Sequence, residues 1–323
     1  MEYKWLGRTG IKVSPLCFGT MSFGGDADEA ESARMYAACR ELGINFFDCA
    51  DAYSKGKAET ILGKLIASER DDLVITTKCF NPTSGDVNAR GGNRRHISRA
   101  VEASLARLGT DRVEVLFMHR WDPVTPLEET LRALEDLVRA GKVLHLGASN
   151  YSAWQVAKGL GISERRGWAR FDVIQPMYSL VKRQVESEIL PLAHSEELGV
   201  ITYSPVGGGL LSGKYAPGVR PDTGRIISDK SYATRYGEEW VFETAGAFTG
   251  LAQEKGVHPV SLAVAWAAGH PDVTCPIIGA RSLEQLGPSL DSLGIDMTAE
   301  LRAEVSALSR TPPPATDRLE EQS

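Results

Sequence analysis

Cysteine is scarce and unpatterned. The five cysteines (Cys17, Cys39, Cys49, Cys79, Cys275) are odd in number, and no two stand in CxxC spacing. That pattern argues against a disulfide framework and against a structural zinc site. No apolar run reaches the roughly 18 residues needed to cross a bilayer, and the opening MEYKWLGRTG carries no apolar stretch behind a basic start. Neither a membrane span nor a secretory signal is therefore expected. Positive charge is not in excess: 36 Lys and Arg stand against 42 Asp and Glu, a net charge of −6. A broad surface for nucleic acid or anionic lipid is therefore not expected, and an anionic ligand must be met by a local basic cluster. The expected compartment is the cytoplasm. Two glycine motifs are also missing. The first apolar run, CFGTMSFGG, lacks the GxGxxG spacing of a dinucleotide turn, and GGGLLSG at 207–213 fits neither that turn nor a P-loop.

What is present is ordinary globular composition, 323 residues with 42% hydrophobic and 24% charged, ample for a sizeable core. No linker interrupts it, so a single domain is expected over 1–310, followed by an irregular tail at 311–323. One pattern recurs along the chain. A helix-like segment stops at a glycine and a short apolar run follows, at Gly43, Gly109, Gly141 and Gly199. Glycine suits the left-handed conformation that ends helices, so these are four αβ joints. Strands are predicted near 15–19, 44–48, 73–77, 113–118, 143–148, 171–175, 200–203 and 274–278. They are apolar without alternation, as parallel strands buried on both faces are. Helices are predicted near 28–42, 57–68, 94–108, 126–140, 152–160, 182–198, 238–255, 259–268, 282–291 and 298–309. In the helix at 126–140, Thr125 is expected to cap, Pro126 to open the first turn and Glu128 to complete a capping box. Eight strands separated by helices make a (β/α)8 TIM barrel, with an extra C-terminal helix and an N-terminal β-hairpin at 1–13 placed to plug the bottom. A doubly wound sheet is the weaker alternative, because it wants the missing glycine turn.

Chemistry in such barrels gathers where strands end. The apolar runs end on Asp48, Lys78, His119, Ser149 with Asn150, Gln175 and Tyr203, and Tyr53 follows Asp48 in FFDCADAY. A free tyrosine titrates at about 10, too high for efficient proton donation near neutrality. An ammonium nearby lowers that value, so Lys78, clamped by Asp48, is expected to tune Tyr53 as a general acid. His119 would orient a carbonyl. No side chain supplies a hydride, so a nicotinamide cofactor is implied, with Ser149, Asn150 and Gln175 for its carboxamide and the Tyr203 ring for its face. No glycosidase-type carboxylate pair stands at the strand ends. The segment 207–237, with Lys214, Arg220, Arg225 and Lys230, reads as a lid over an anionic cofactor. Trp121, Phe23, Phe80 and Arg95 are candidates for pocket walls. Cys49 and Cys79 read as packing.

The stretches INFFDCADAYSKGKAETILGKLI, VITTK, SRAVEASLARLGTDRVEVLFMHRWD, GKVLHLGASN and YSPVGGGLLSGKY resemble the aldo-keto reductase superfamily. They are most similar to its branch of bacterial oxidoreductases and potassium-channel β subunits. The resemblance implies an NADPH-dependent reduction of a small-molecule carbonyl substrate, with Asp48, Tyr53, Lys78 and His119 as the catalytic set. In the channel subunits an asparagine replaces that histidine, so His119 favours a working reductase over a regulatory subunit. The resemblance further places Gly19, Thr20 and Met21 beside the nicotinamide, and Ser204, Val206, Gly208, Ser212 and Lys214 on the loop over the pyrophosphate. Gly279, Arg281 and Gln285 fall at the adenosine end. Pro288 and Ser289 stand where relatives often carry Glu and Asn that contact adenine. Arg281, whose planar fork suits a 2′-phosphate, is the reason to expect NADP over NAD.

Overall fold

The computed structural model describes residues 1–215, 218–219, 221–222, 224–316, 318 and 320. A two-stranded antiparallel hairpin comes first, β1 (Lys4–Trp5) and β2 (Lys12–Val13). Eight parallel strands then close into a barrel: β3 (Cys17–Gly19), β4 (Phe46–Asp48), β5 (Val74–Cys79), β6 (Val113–Met118), β7 (Val143–Ser149), β8 (Phe171–Gln175), β9 (Gly199–Thr202) and β10 (Cys275–Ile278). Each pairs with its sequence neighbours, and β10 returns to β3. The chain is a (β/α)8 TIM barrel, and every predicted strand is present within a few residues. Strands β5 and β6 are buried along their whole length, which is why their sequences show no alternation.

Helices run between the strands. They are α1 (Glu29–Glu41), α2 (Lys57–Ile66), α3 (Arg94–Leu108), α4 (Leu127–Arg139), α5 (Ala153–Arg166) and α6 (Ile189–Ser195). The segment before β10 holds α7 (Arg225–Ser228), α8 (Lys230–Tyr236), α9 (Glu239–Glu254) and α10 (Pro259–Ala268), and α11 (Leu283–Leu290) and α12 (Ala299–Ser306) follow the barrel. Side-chain caps set several starts: Asp28 for α1, Asn93 for α3, and a Ser152–Gln155 box for α5. The start of α4 departs from expectation. Pro126 itself is the cap residue, in extended backbone, with no side-chain bond. Thr125 is drawn instead to the Asp122 carboxylate. The predicted helix at 182–198 is a single turn at Gln184–Glu186 followed by the shorter α6. Helices α7 and α8, inside the expected lid, had no counterpart in the sequence reading. Among the described residues no helix is long and apolar enough to cross a membrane.

Two apolar clusters are separated by the barrel wall. The larger lies between strands and helices. The smaller fills the barrel: Leu6, Val13, Cys17, Phe46, Val74, Val115, Phe117, Val173, Ile201 and Cys275. Leu6 comes from the hairpin, so the hairpin does close the bottom. Its next residue, Gly7, has φ +54, and a Cβ there would lie 2.3 Å from the Gly199 nitrogen. Only glycine lets the hairpin seat so close to the start of β9.

Candidate active site at the barrel mouth

Side chains alternate along a strand, so a residue two positions beyond an inward one is also inward and nearer the mouth. Phe46, Phe117, Val173 and Ile201 belong to the interior plug. Two positions on stand Asp48, His119, Gln175 and Tyr203, and Lys78 stands two beyond Thr76 and four beyond Val74. The mouth chemistry is the polar top layer of the files that pack the barrel. Strand register levels it: Gly19 pairs with Asp48, Asp48 with Thr76, and Ser149 with Gln175.

Lys78 is fully buried and uses all three ammonium donors. It donates to Asp48 Oδ2 at 2.5 Å, to the Cys49 carbonyl at 2.8 Å and to Tyr53 Oη at 3.1 Å. Asp48 Oδ1 accepts from Thr76 Oγ1 at 2.7 Å and from Gln175 Nε2 at 2.9 Å. Tyr53 is delivered by a sharp turn, since Ser54, Lys55 and Gly56 all have positive φ. That strained conformation is held from outside the barrel. Buried Glu59 accepts from Thr77 at 2.5 Å and from Arg107 at 2.7 Å, and the Arg107 side chain packs against Gly56.

The acidity of Tyr53 differs from the expectation. Burial pushes the phenol up to about 12, with the Asp48 carboxylate adding to the rise, while Lys78 pulls it down. The ammonium acts in the expected direction, but desolvation outweighs it and Asp48 partly cancels its field. Burial also works against the Lys78 charge, yet the attraction of Asp48 and Tyr53 leaves it above its ordinary value. Burial, then Lys78 and Arg120, lower His119 to about 3, so its ring is neutral at physiological pH. The Asn81 amide nitrogen lies 3.1 Å from His119 Nδ1. With that amide donating, the ring proton sits on Nε2, which makes His119 a neutral hydrogen-bond donor. Its ring lies edge-on to Tyr53, with centroids 6.1 Å apart.

Asn150 has φ +58 and ties the rim together. Its amide donates to the His119 carbonyl at 2.9 Å and to Ser149 Oγ at 3.1 Å, and its oxygen accepts from Tyr203 Oη at 2.6 Å. Tyr203 and Asn150 face a cleft of about 450 Å3 also lined by Met177, Lys182 and Arg235. The Asn150 amide and the Tyr203 ring are groups that suit a nicotinamide carboxamide and ring face, whereas Ser149 and Gln175, 1% and 3% exposed, do not line the cleft. Thr20 bonds the Asp48 carbonyl through both its amide and its hydroxyl, and Met21 is exposed beside it. Gly19 could not carry a side chain, because a Cβ would lie 2.7 Å from Ile277. After β9, Ser204 has φ +60, and a tight turn over Val206–Ser212 includes Gly208 at φ +66, covered by Tyr232 of α8. Ser212 bonds the Gly209 carbonyl, and Lys214 and Lys230 are exposed. Arg220 and the side chain of Arg225 lie outside the described residues. At the far end Gly279 abuts Gly19, while Gln285 accepts from the Arg281 amide at 3.4 Å.

Sequence reasoning missed Thr76, Asn81, Glu59 and Arg107. Thr76 was findable, being two positions before Lys78 on the same strand. Asn81 lies on a loop with no pattern to mark it. Of the proposed pocket walls, Phe23 is fully buried against Phe18, and Arg95 is exposed and pairs with Asp86. Phe80 is buried beneath the Arg120 guanidinium, and Trp121 packs against Tyr151 and Trp154. All five cysteines are free and buried, and burial pushes the Cys49 and Cys79 thiols up.

The barrel, its mouth and the matching sequence define an oxidoreductase-type (β/α)8 protein. The Aldo/keto reductase family model matches residues 15–310, and the chain belongs to that family. It is 36% identical over 326 residues to a probable voltage-gated potassium channel subunit beta of Oryza sativa subsp. japonica, covering 98% of this chain and 99% of that one. It is 37% identical over 312 residues to the uncharacterized oxidoreductase YrpG of Bacillus subtilis (strain 168), covering 93% and 94%. It is 34% identical over 338 residues to the versiconal hemiacetal acetate reductase of Aspergillus parasiticus, again covering 93% and 94%.

Proposed function

We propose that this chain is an NADPH-dependent reductase that converts an aldehyde or ketone to an alcohol. The observation that carries the reading is the buried Asp48–Lys78 pair with its third donor on Tyr53 Oη at 3.1 Å. When bound, a nicotinamide supplies the hydride. Tyr53 holds the proton: its oxygen accepts from Lys78, which leaves its own O–H to donate. Neutral His119 donates through Nε2 to the same carbonyl oxygen and orients it. As negative charge builds on that oxygen, Tyr53 releases its proton to it, and the ammonium stabilises the phenolate left behind. A phenol near 12 is still a far stronger acid than an alcohol, so the transfer runs downhill at the end of the step. Asn150 and Tyr203 hold the nicotinamide against this group, and Arg281 meets a 2′-phosphate.

The test is a panel of aldehydes and ketones with NADPH oxidation followed by absorbance. Tyr53→Phe should bind the nucleotide as the parent does and lose turnover by roughly 100-fold or more. Undiminished turnover would remove Tyr53 as proton donor. A second reading, a cofactor-binding regulatory subunit, draws on the similarity to plant channel β subunits. A stable membrane partner recovered together with negligible carbonyl reduction would favour it. The neutral His119 donor supports the reductase.

A further inference from the structure

Arg281 is the one side chain assigned to the 2′-phosphate, and it is already engaged. Its Nε lies 3.0 Å from Asp26 Oδ2, with both side chains about half exposed. The next groups along are engaged too. The Leu283 amide, at the start of α11, donates to Glu31 Oε1 at 2.5 Å, and the Arg281 amide points to Gln285. Asp26 lies on the β3–α1 loop and Glu31 on α1, so one segment places two carboxylates against the segment that begins α11. A third contact, Ser22 Oγ to the Ala280 carbonyl at 2.6 Å, laces the two together. A guanidinium and a helix-start amide are what a phosphate monoester would seek. Here one carboxylate of the chain takes the guanidinium Nε and another the helix-start amide.

We infer that Asp26, assisted by Glu31, sets cofactor selectivity by competing with the 2′-phosphate for Arg281 and the start of α11. The inference rests on the nicotinamide-nucleotide reading above. NADPH must share the Arg281 guanidinium with Asp26 and tolerate its charge beside a phosphate carrying nearly two negative charges. NADH brings only a 2′-hydroxyl, which a carboxylate accepts from rather than repels. The chain therefore discriminates between the two nucleotides less than Arg281 alone would dictate. Asp26 is a selectivity residue, remote from the reacting atoms.

Binding of NADPH and NADH is titrated separately by nucleotide fluorescence, in the wild-type chain and in Asp26→Asn, at low and high salt. Loss of one exposed charge at this distance should tighten NADPH by roughly three- to tenfold and leave NADH within about twofold. The gain should shrink as salt rises, because the charges are solvent-exposed. Glu31→Gln should shift the ratio the same way, and Arg281→Gln should weaken NADPH alone. An unchanged NADPH-to-NADH ratio in Asp26→Asn, with both nucleotides binding the parent, overturns the inference and leaves the reductase reading standing. Binding of neither nucleotide to the wild-type chain overturns both.

Discussion

Replacing Lys78 by methionine isolates the interaction on which the mouth is built. Lys78 and Asp48 are 2.5 Å apart, with 0% and 3% of their side chains exposed. Removing the ammonium strands a carboxylate away from water, retaining only the Thr76 and Gln175 donors. Breaking a buried pair in this way costs about 3–5 kcal/mol, a large share of the roughly 5–15 kcal/mol that holds a domain folded. Adding Asp48→Asn removes the stranded charge, and the side-chain amide oxygen it introduces still accepts from Thr76 and Gln175. The double variant should therefore recover about 2 kcal/mol over Lys78→Met, a coupling well outside the additivity of independent sites. Urea denaturation followed by circular dichroism measures Lys78→Met, Asp48→Asn and the double variant against the parent. If the two substitutions add, or the double variant is the less stable, Asp48 is not held charged by Lys78 and the electrostatic account of the mouth fails.

Two further outcomes concern positions outside the proposed reaction. Asp51 is 3% exposed, and burial together with Glu59 raises its pKa to about 7. A carboxyl with a raised folded pKa holds its proton more tightly when folded, so stability falls as pH rises from the unfolded value near 4 towards 7. Asp51→Asn should match the parent near pH 4 and exceed it by on the order of 4 kcal/mol above pH 7. Parallel melting curves across that range would contradict this. Gly7→Ala should unseat the hairpin, because the new methyl would meet the Gly199 backbone at 2.3 Å. Faster proteolysis near the N-terminus and a loss of about 1–3 kcal/mol are expected, and an unaltered cleavage rate would show that the hairpin does not dock as described.

The positions of the eight strands and their polar ends were determined by sequence alone. Buried parallel strands need continuous apolar runs, and a barrel mouth needs each run to stop at a polar residue. Period-two geometry then places Asp48, Lys78, His119, Gln175 and Tyr203 above the interior plug without further information. Glycine after a helical stretch marked the joints for the same local reason. The expectations that failed depended on neighbours distant in the chain. Thr125 carries every local sign of a cap, but Asp122 claims it. Lys78 pulls on the Tyr53 phenol as charge alone dictates, but the surrounding wall excludes water and burial decides the balance. The Asp26 carboxylate beside Arg281, brought across the fold by the β3–α1 loop, likewise had no local sign in the sequence. Propensity, periodicity and residue type act over a few residues, whereas desolvation and ion pairing sum over whatever the barrel brings together. Which elements form was therefore written locally, and which charges face each other was settled only by barrel closure.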